Sequence, residues 1–124
     1  MDAATIVVVD DEQPIVGLVA SYLGAEGFSV QRAFDGPSAL ALARATRPDL
    51  VILNVMLPGL DGIEVCRRLH QESAVYVLML TARTDEVDKL LGRNQPACIL
   101  AISKILLYLL CTYAHEHRQE PVGA

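Results

Sequence analysis

The chain has 124 residues, a length that suits one domain with a single hydrophobic core. Its formal net charge is −5 and it has no basic stripe, so direct binding of nucleic acid is not expected. The spacing of the three cysteines, Cys66, Cys98 and Cys111, does not suit metal ligands. We interpret them as small apolar side chains in a reducing compartment. No signal-peptide pattern begins the chain, and we expect a cytoplasmic protein.

Strand and helix patterns alternate along most of the chain. Continuous apolar runs predict buried strands, and apolar residues at helical spacing predict helices between them. The predicted strands are 5–9, 28–33, 50–53 and 75–80. The predicted helices cover 14–26 and 37–45, a third begins at Asp61-Gly62, and Thr84 or Asp85 caps a fourth. This alternation predicts an α/β fold with βαβ units on a parallel sheet.

Apolar residues of two predicted helices mark the faces that we expect to pack on the sheet. In the first helix they are Ile15, Leu18, Val19, Tyr22 and Leu23. In the third helix they are Ile63, Val65, Cys66 and Leu69. Pro14 suits the first turn of the first helix, and Gly27 is the expected C-cap at its other end.

The chain changes character after Gly92. Residues 97–102 predict a fifth strand, and the apolar run 105–113 predicts a helix. Because that helix is apolar almost all round, we expect self-association through it. A membrane span is disfavoured here, since it needs about 20 apolar residues and Lys104 would lie near its middle.

Polar residues follow three of the predicted strands. Asp10 and Asp11 come after the first strand, Asn54 follows the third, and Thr81 follows the fourth. Because ligands of open α/β sheets bind outside the carboxyl ends of the strands, we expect these residues to share one pocket. Mg²⁺ prefers hard oxygen ligands, so the acidic pair predicts a Mg²⁺ site. The neutral amide of Asn54 is a weaker third ligand, and cation binding should be reduced.

Asn54 also limits the chemistry of the pocket. Formation of an acyl phosphate needs a carboxylate oxygen to attack phosphorus, and a neutral amide lacks that anion. The Thr81 hydroxyl and the Lys104 ammonium group are candidates to bind a phosphoryl group. The simpler interpretations are that Thr81 is a turn residue and Lys104 a solvated surface group.

Three stretches resemble the receiver domain of bacterial two-component response regulators, especially the OmpR/PhoB class. They are Ile6 to Glu12, Pro48 to Gly62 and Leu80 to Arg83, within a family-like region 5–92. The resemblance implies one receiver domain over 1–124, with a flavodoxin-like fold. Such a fold is a doubly wound five-stranded parallel sheet in the order 2-1-3-4-5, with helices on both faces. The resemblance also implies Mg²⁺ as cofactor and a histidine kinase as partner.

The family pattern implies a role for each matching residue. Asp10 and Asp11 resemble the metal-binding acids, and the Met56 main-chain carbonyl resembles the third protein ligand. Asn54 stands at the phosphoacceptor position, and Thr81 resembles the switch hydroxyl. Lys104 is the best match for the family lysine, although Ile105 follows it where the family has proline. Residues 93–124 depart from the pattern most strongly.

Three functions compete at this point. The first is a signalling receiver that cannot accept phosphate, from a parent protein that regulates transcription. The second is a phosphate-independent pseudo-receiver that binds partners or dimerises. The third is an enzyme of flavodoxin-like fold, which is disfavoured because the chain has no Gly-rich phosphate loop and no general-base histidine near a strand end.

Overall fold

A computed structural model describes residues 3–81 and 99–103. Its strands are β1 (Thr5–Val9), β2 (Ser29–Ala33), β3 (Leu50–Asn54), β4 (Tyr76–Thr81) and β5 (Ile99–Ser103). Its helices are α1 (Gln13–Ala25), α2 (Gly36–Thr46) and α3 (Gly62–Glu72). The predictions of β1 to β4 and of α1 to α3 are confirmed. The predicted helices that begin near Thr84 and at Ile105 lie outside the described residues.

All strand pairs in the sheet are parallel, and the strand order is β2-β1-β3-β4-β5. The strand β1 therefore lies between β2 and β3, and the chain reverses its direction of winding there. In the register of β1 and β3, Val9 is opposite Leu53. The residues that follow these two positions, Asp10 and Asn54, consequently lie side by side at the carboxyl edge of the sheet.

Helices cover both faces of the sheet, which explains the continuous apolar strands. The helix α1 packs on one face, where Val16 and Val19 join Ile6, Val8, Ile52 and Leu80 in a buried cluster. The helices α2 and α3 cover the other face, and their buried residues include Ala39, Leu40, Ala43, Val65, Cys66 and Leu69. Cys66 is a buried free thiol, as its assignment to small apolar residues predicted. The predicted α/β class with helices on both faces is confirmed.

The predicted packing face of α1 is present: Val19 is buried, and Ile15, Leu18, Tyr22 and Leu23 are partly buried and pack against the same cluster. Val16 and Ala20, which the prediction did not name, are buried as well. Among the described residues, no helix combines the length and apolar character needed to cross a membrane.

The end of α1 corrects one detail of the prediction. Glu26 is the C-cap, and Gly27 follows it with a φ of +100°. The amide of Gly27 donates to the Gly24 carbonyl at 3.1 Å, and that of Phe28 donates to the Leu23 carbonyl at 3.1 Å. This pair of bonds is a Schellman motif, which needs a left-handed residue one position beyond the cap. Gly27 therefore ends the helix as expected, but from the position after the cap.

Candidate functional site

The carboxyl ends of β1 and β3 bring Asp10 and Asn54 together. Asp10 is fully buried, and Asn54 is only 5 % exposed. The Asn54 Nδ2 group donates to Asp10 Oδ1 across 3.4 Å, a long hydrogen bond that is assisted by the carboxylate charge. The amide of Glu12 donates to the same oxygen at 2.9 Å. The predicted pairing of these strand ends is thus present in the structure.

The Met56 main chain faces the same amide group. Asn54 Nδ2 donates to the Met56 carbonyl oxygen at 3.0 Å, and the Met56 N–H approaches Asn54 Oδ1 at 3.5 Å. The Met56 side chain points away and is 69 % exposed. These hydrogen bonds involve only the main chain of Met56, and its implied role as a metal ligand stays a prediction.

An acidic cluster surrounds the end of β1. Asp10, Asp11 and Glu12 each offer one carboxylate oxygen, and these three oxygens all lie within 4.8 Å of one another. Asp10 is buried, whereas Asp11 and Glu12 are exposed. The sequence analysis assigned only Asp10 and Asp11 as metal ligands, although the acidic run continues to Glu12. Such a cluster of hard oxygen donors suits a divalent cation that keeps several of its waters.

The donor set fits a cation only in part. Carboxylates of the acidic cluster present oxygen atoms, as Mg²⁺ requires. In contrast, Asn54 presents its N–H group, and not its oxygen, to both Asp10 and Met56. Two of the oxygens expected to bind a cation therefore accept hydrogen bonds from Asn54.

The structure describes Thr81 only by its backbone, at the end of β4. Thr81 ends β4 and is opposite Ser103 of β5, while Leu80 is opposite Asn54. The strand ends thus lie at one edge of the sheet. Lys104 lies outside the described residues, so its predicted role stays a prediction.

Two glycines support the loop after β3. The Gly62 N–H donates to the Val55 carbonyl at 2.8 Å, and a Cβ at Gly62 would lie 2.9 Å from Val55 Cα. The Gly36 N–H donates to Pro58 O at 3.4 Å, and a Cβ there would meet the Leu60 main chain. The sequence analysis placed Asp61-Gly62 at the start of a helix, but close approach of backbones is visible only in the folded chain.

Comparison with known families identifies the class to which this arrangement belongs. The family model described as response regulator receiver domain matches residues 6–97. The chain therefore belongs to the response regulator receiver domain family, as the resemblance predicted. Receiver domains bind Mg²⁺ through an acidic cluster and interact with histidine kinases. In this chain the corresponding cluster is Asp10, Asp11 and Glu12.

Solved structures of receivers agree with the fold. The BeF3-activated N-terminal receiver domain of Klebsiella pneumoniae RstA is 31% identical, with a TM-score of 0.74, and the match covers 93% of this chain and 99% of that one. Vibrio cholerae chemotaxis protein CheY4 is 30% identical, with a TM-score of 0.70, and the match covers 87% of this chain and 97% of that one. The N-terminal domain of a response regulator receiver protein from Methanoculleus marisnigri is 32% identical, with a TM-score of 0.67. This match covers 94% of this chain and 97% of that one.

Proposed function

We propose that this receiver domain cannot accept a phosphoryl group, because Asn54 stands where the acceptor aspartate would be. The observation that carries the proposal is the position of Asn54 at the end of β3, buried beside Asp10 and the Met56 carbonyl. A phosphoacceptor in this pocket must present a nucleophilic oxygen anion. The Asn54 amide is neutral and uses its N–H group toward the acidic side of the pocket.

Weakened Mg²⁺ binding is part of the same proposal. Asp10, Asp11 and the Met56 carbonyl would hold the ion, with Glu12 contributing to the negative potential. A bound cation would neutralise charge on an incoming phosphoryl group. Because Asn54 brings no charge, the site attracts a divalent cation less strongly than three acids would. Thr81 and Lys104 are proposed to form the phosphate-binding side.

Membership of the family supports a proposal for the cellular role. We propose a histidine kinase as the partner and the cytoplasm as the location, with no catalytic role for this chain. A parent protein of the OmpR/PhoB class would regulate transcription through a separate DNA-binding domain. The likeness to the N-terminal receiver domain of RstA at 31% identity is consistent with such a parent. The net charge of −5 supports the absence of direct DNA binding by this chain.

A phosphorylation assay tests the central claim. The chain is incubated with acetyl phosphate and Mg²⁺, and intact mass is measured alongside the Asn54→Asp variant. The unaltered chain should gain no phosphoryl mass, whereas Asn54→Asp should gain one group. A gain on the unaltered chain at Asn54 would refute the proposal. Hydroxylamine, which cleaves acyl phosphates, serves as the control for the type of linkage in the variant.

A phosphate-independent pseudo-receiver is the second candidate. The hydrogen bonds from Asn54 to Asp10 and Met56 favour it, because they join the parts of the pocket without phosphate or metal. In this alternative the protein acts by binding partners or by dimerising through residues 105–113, which lie outside the described part of the chain. Sedimentation velocity at several concentrations would separate a dimer from a strict monomer.

A further inference from the structure

We infer that the Asn54 amide takes the place of the cation and links the end of β1 to the loop after β3. This inference rests on the proposed function, since both concern the substituted acceptor position. It goes further by assigning the amide a positive structural role. In this view Asn54 is an internal cross-link, and not merely an acceptor that has lost its charge.

Hydrogen-bonding chemistry determines the orientation of the amide. Its Nδ2 group has two N–H donors, and it lies 3.0 Å from Met56 O and 3.4 Å from Asp10 Oδ1. The opposite orientation would place the amide oxygen against a carboxylate and a carbonyl, which repel it. In the present orientation Asn54 Oδ1 faces the Met56 N–H at 3.5 Å. The neighbouring groups therefore select the arrangement in which the amide acts as a donor.

The two acceptors are oxygens that a cation would otherwise bring together. Asp10 and Met56 belong to different segments, and the amide group joins them from the end of β3. The hydrogen bond to Met56 has a good length and the one to Asp10 is long, so the link to the loop is the stronger one. Burial of Asp10 and Asn54 strengthens both contacts, because water competes poorly for buried donors and acceptors.

A cation at these oxygens would compete with the amide. The N–H hydrogens carry partial positive charge, and a divalent ion between the same two oxygens would repel them. Cation binding therefore requires the Asn54 side chain to turn away, with loss of both hydrogen bonds. Loss of one negative charge weakens Mg²⁺ binding, and occupation of the acceptors by the amide weakens it further.

The link holds a loop whose ends are already fixed. The Val55 N–H donates to the Leu80 carbonyl at 2.9 Å, and the Val55 carbonyl accepts from Gly62 at 2.8 Å. With the Asn54 bond to Met56 added, the start of the loop is attached to β4, to α3 and to the pocket. The loop surface should consequently keep one conformation whether or not Mg²⁺ is present.

Thermal unfolding in a Mg²⁺ series tests the inference with three proteins: the unaltered chain, Asn54→Asp and Asn54→Ala. Potassium chloride at matched ionic strength controls for screening. The unfolding midpoint of the unaltered chain should change very little as Mg²⁺ is added. Asn54→Asp should unfold at a lower temperature without Mg²⁺ and gain roughly 5 °C or more at saturating Mg²⁺.

The alanine variant separates the cross-link from charge loss, because alanine lacks both the charge and the competing N–H group. The cross-link predicts that Asn54→Ala is less stable than the unaltered chain without Mg²⁺, and that it responds more strongly to the ion. Charge loss alone predicts a response no larger than that of the unaltered chain, and that result would overturn the inference. Hydrogen exchange at the Met56 amide gives a second readout and should be unchanged by Mg²⁺ in the unaltered chain.

Failure of this inference can be distinguished from failure of the proposed function. If the unaltered chain responds to Mg²⁺ as strongly as Asn54→Asp, the cross-link is refuted. The acetyl phosphate assay would still report whether Asn54 accepts a phosphoryl group. Conversely, a phosphoryl adduct on Asn54 would refute the proposed function independently of the unfolding midpoints.

Discussion

The Gly62 backbone lies directly against the carbonyl group of Asn54. A Cβ at Gly62 would overlap the Asn54 carbonyl oxygen and would lie 3.0 Å from its carbon and 2.9 Å from Val55 Cα. The first residue of α3 is therefore packed against the last residue of β3. Because the three nearest atoms that this Cβ would meet are all main chain, the conflict cannot be relieved by a change of rotamer.

Gly62→Ala should destabilise the fold by about 3 kcal/mol, at the upper end of the usual cost of overpacking. The physical reason is that the backbone between β3 and α3 must shift, which disturbs the pocket as well. Gly17→Ala is the matched control, because a Cβ at that helical position would have no atom of the described residues within 4 Å. That control should raise stability by about 0.5–1 kcal/mol. Urea unfolding of both variants measures the difference, and equal stabilities would contradict it.

Asp35→Ala should lower the free energy of unfolding by about 1 kcal/mol. Asp35 is the N-cap of α2 and accepts from the Ser38 N–H at 2.7 Å and from the Ser38 hydroxyl at 2.9 Å. Asp35→Asn keeps an oxygen that can accept the capping hydrogen bond, so its free energy of unfolding should fall much less. Denaturant unfolding of the two variants checks the prediction, and a loss as large for Asn as for Ala would argue against a capping role.

Glu72 should titrate below its ordinary value of 4.5. Its pKa is lowered by the hydrogen bond with the Arg44 guanidinium, whose Nη2 lies 2.9 Å from Glu72 Oε1. The folded pKa is thus below the unfolded one. The pair therefore contributes stability above the unfolded value, and the contribution is lost as pH falls through the folded value. Since both groups are exposed, the contribution should be small and sensitive to salt.

An NMR titration of the Glu72 carboxylate measures this pKa directly. In Arg44→Gln the carboxylate loses its charged partner, and its pKa should rise toward the ordinary value. Arg67→Gln is the matched control, because Arg67 pairs with Glu64 and not with Glu72, and it should leave the Glu72 pKa unchanged. An unchanged Glu72 titration in Arg44→Gln would contradict the assignment.

Leu53→Ala should cost about 2–5 kcal/mol, since Leu53 is fully buried in the centre of the sheet. Met56→Ala is the contrasting variant nearby. Its side chain is 69 % exposed and only its main chain contacts Asn54, so the change should stay within about 0.5 kcal/mol. Chemical unfolding monitored by circular dichroism gives both values. A large loss for Met56→Ala would show that its side chain is part of the site.

Periodicity and strand-end chemistry predicted the strands, the helices and the pairing of Asp10 with Asn54. These features depend on residues close together in the sequence, or on the rule that parallel strands end at one edge. The details of α1 were less predictable. Val16 and Ala20 are buried although the sequence analysis did not name them, because burial depends on the contacts that the helix makes in three dimensions.

The sequence by itself determined that an amide stands where an acid is expected, and that this amide lies at a strand end beside Asp10. Only the tertiary structure decided which end of the amide faces the acid. Asn54 and Asp10 are 44 residues apart, and the orientation depends on the Met56 carbonyl and N–H that the folded loop places around the side chain. Local patterns fix which residues meet, whereas the choice between donor and acceptor needs all the neighbours in three dimensions.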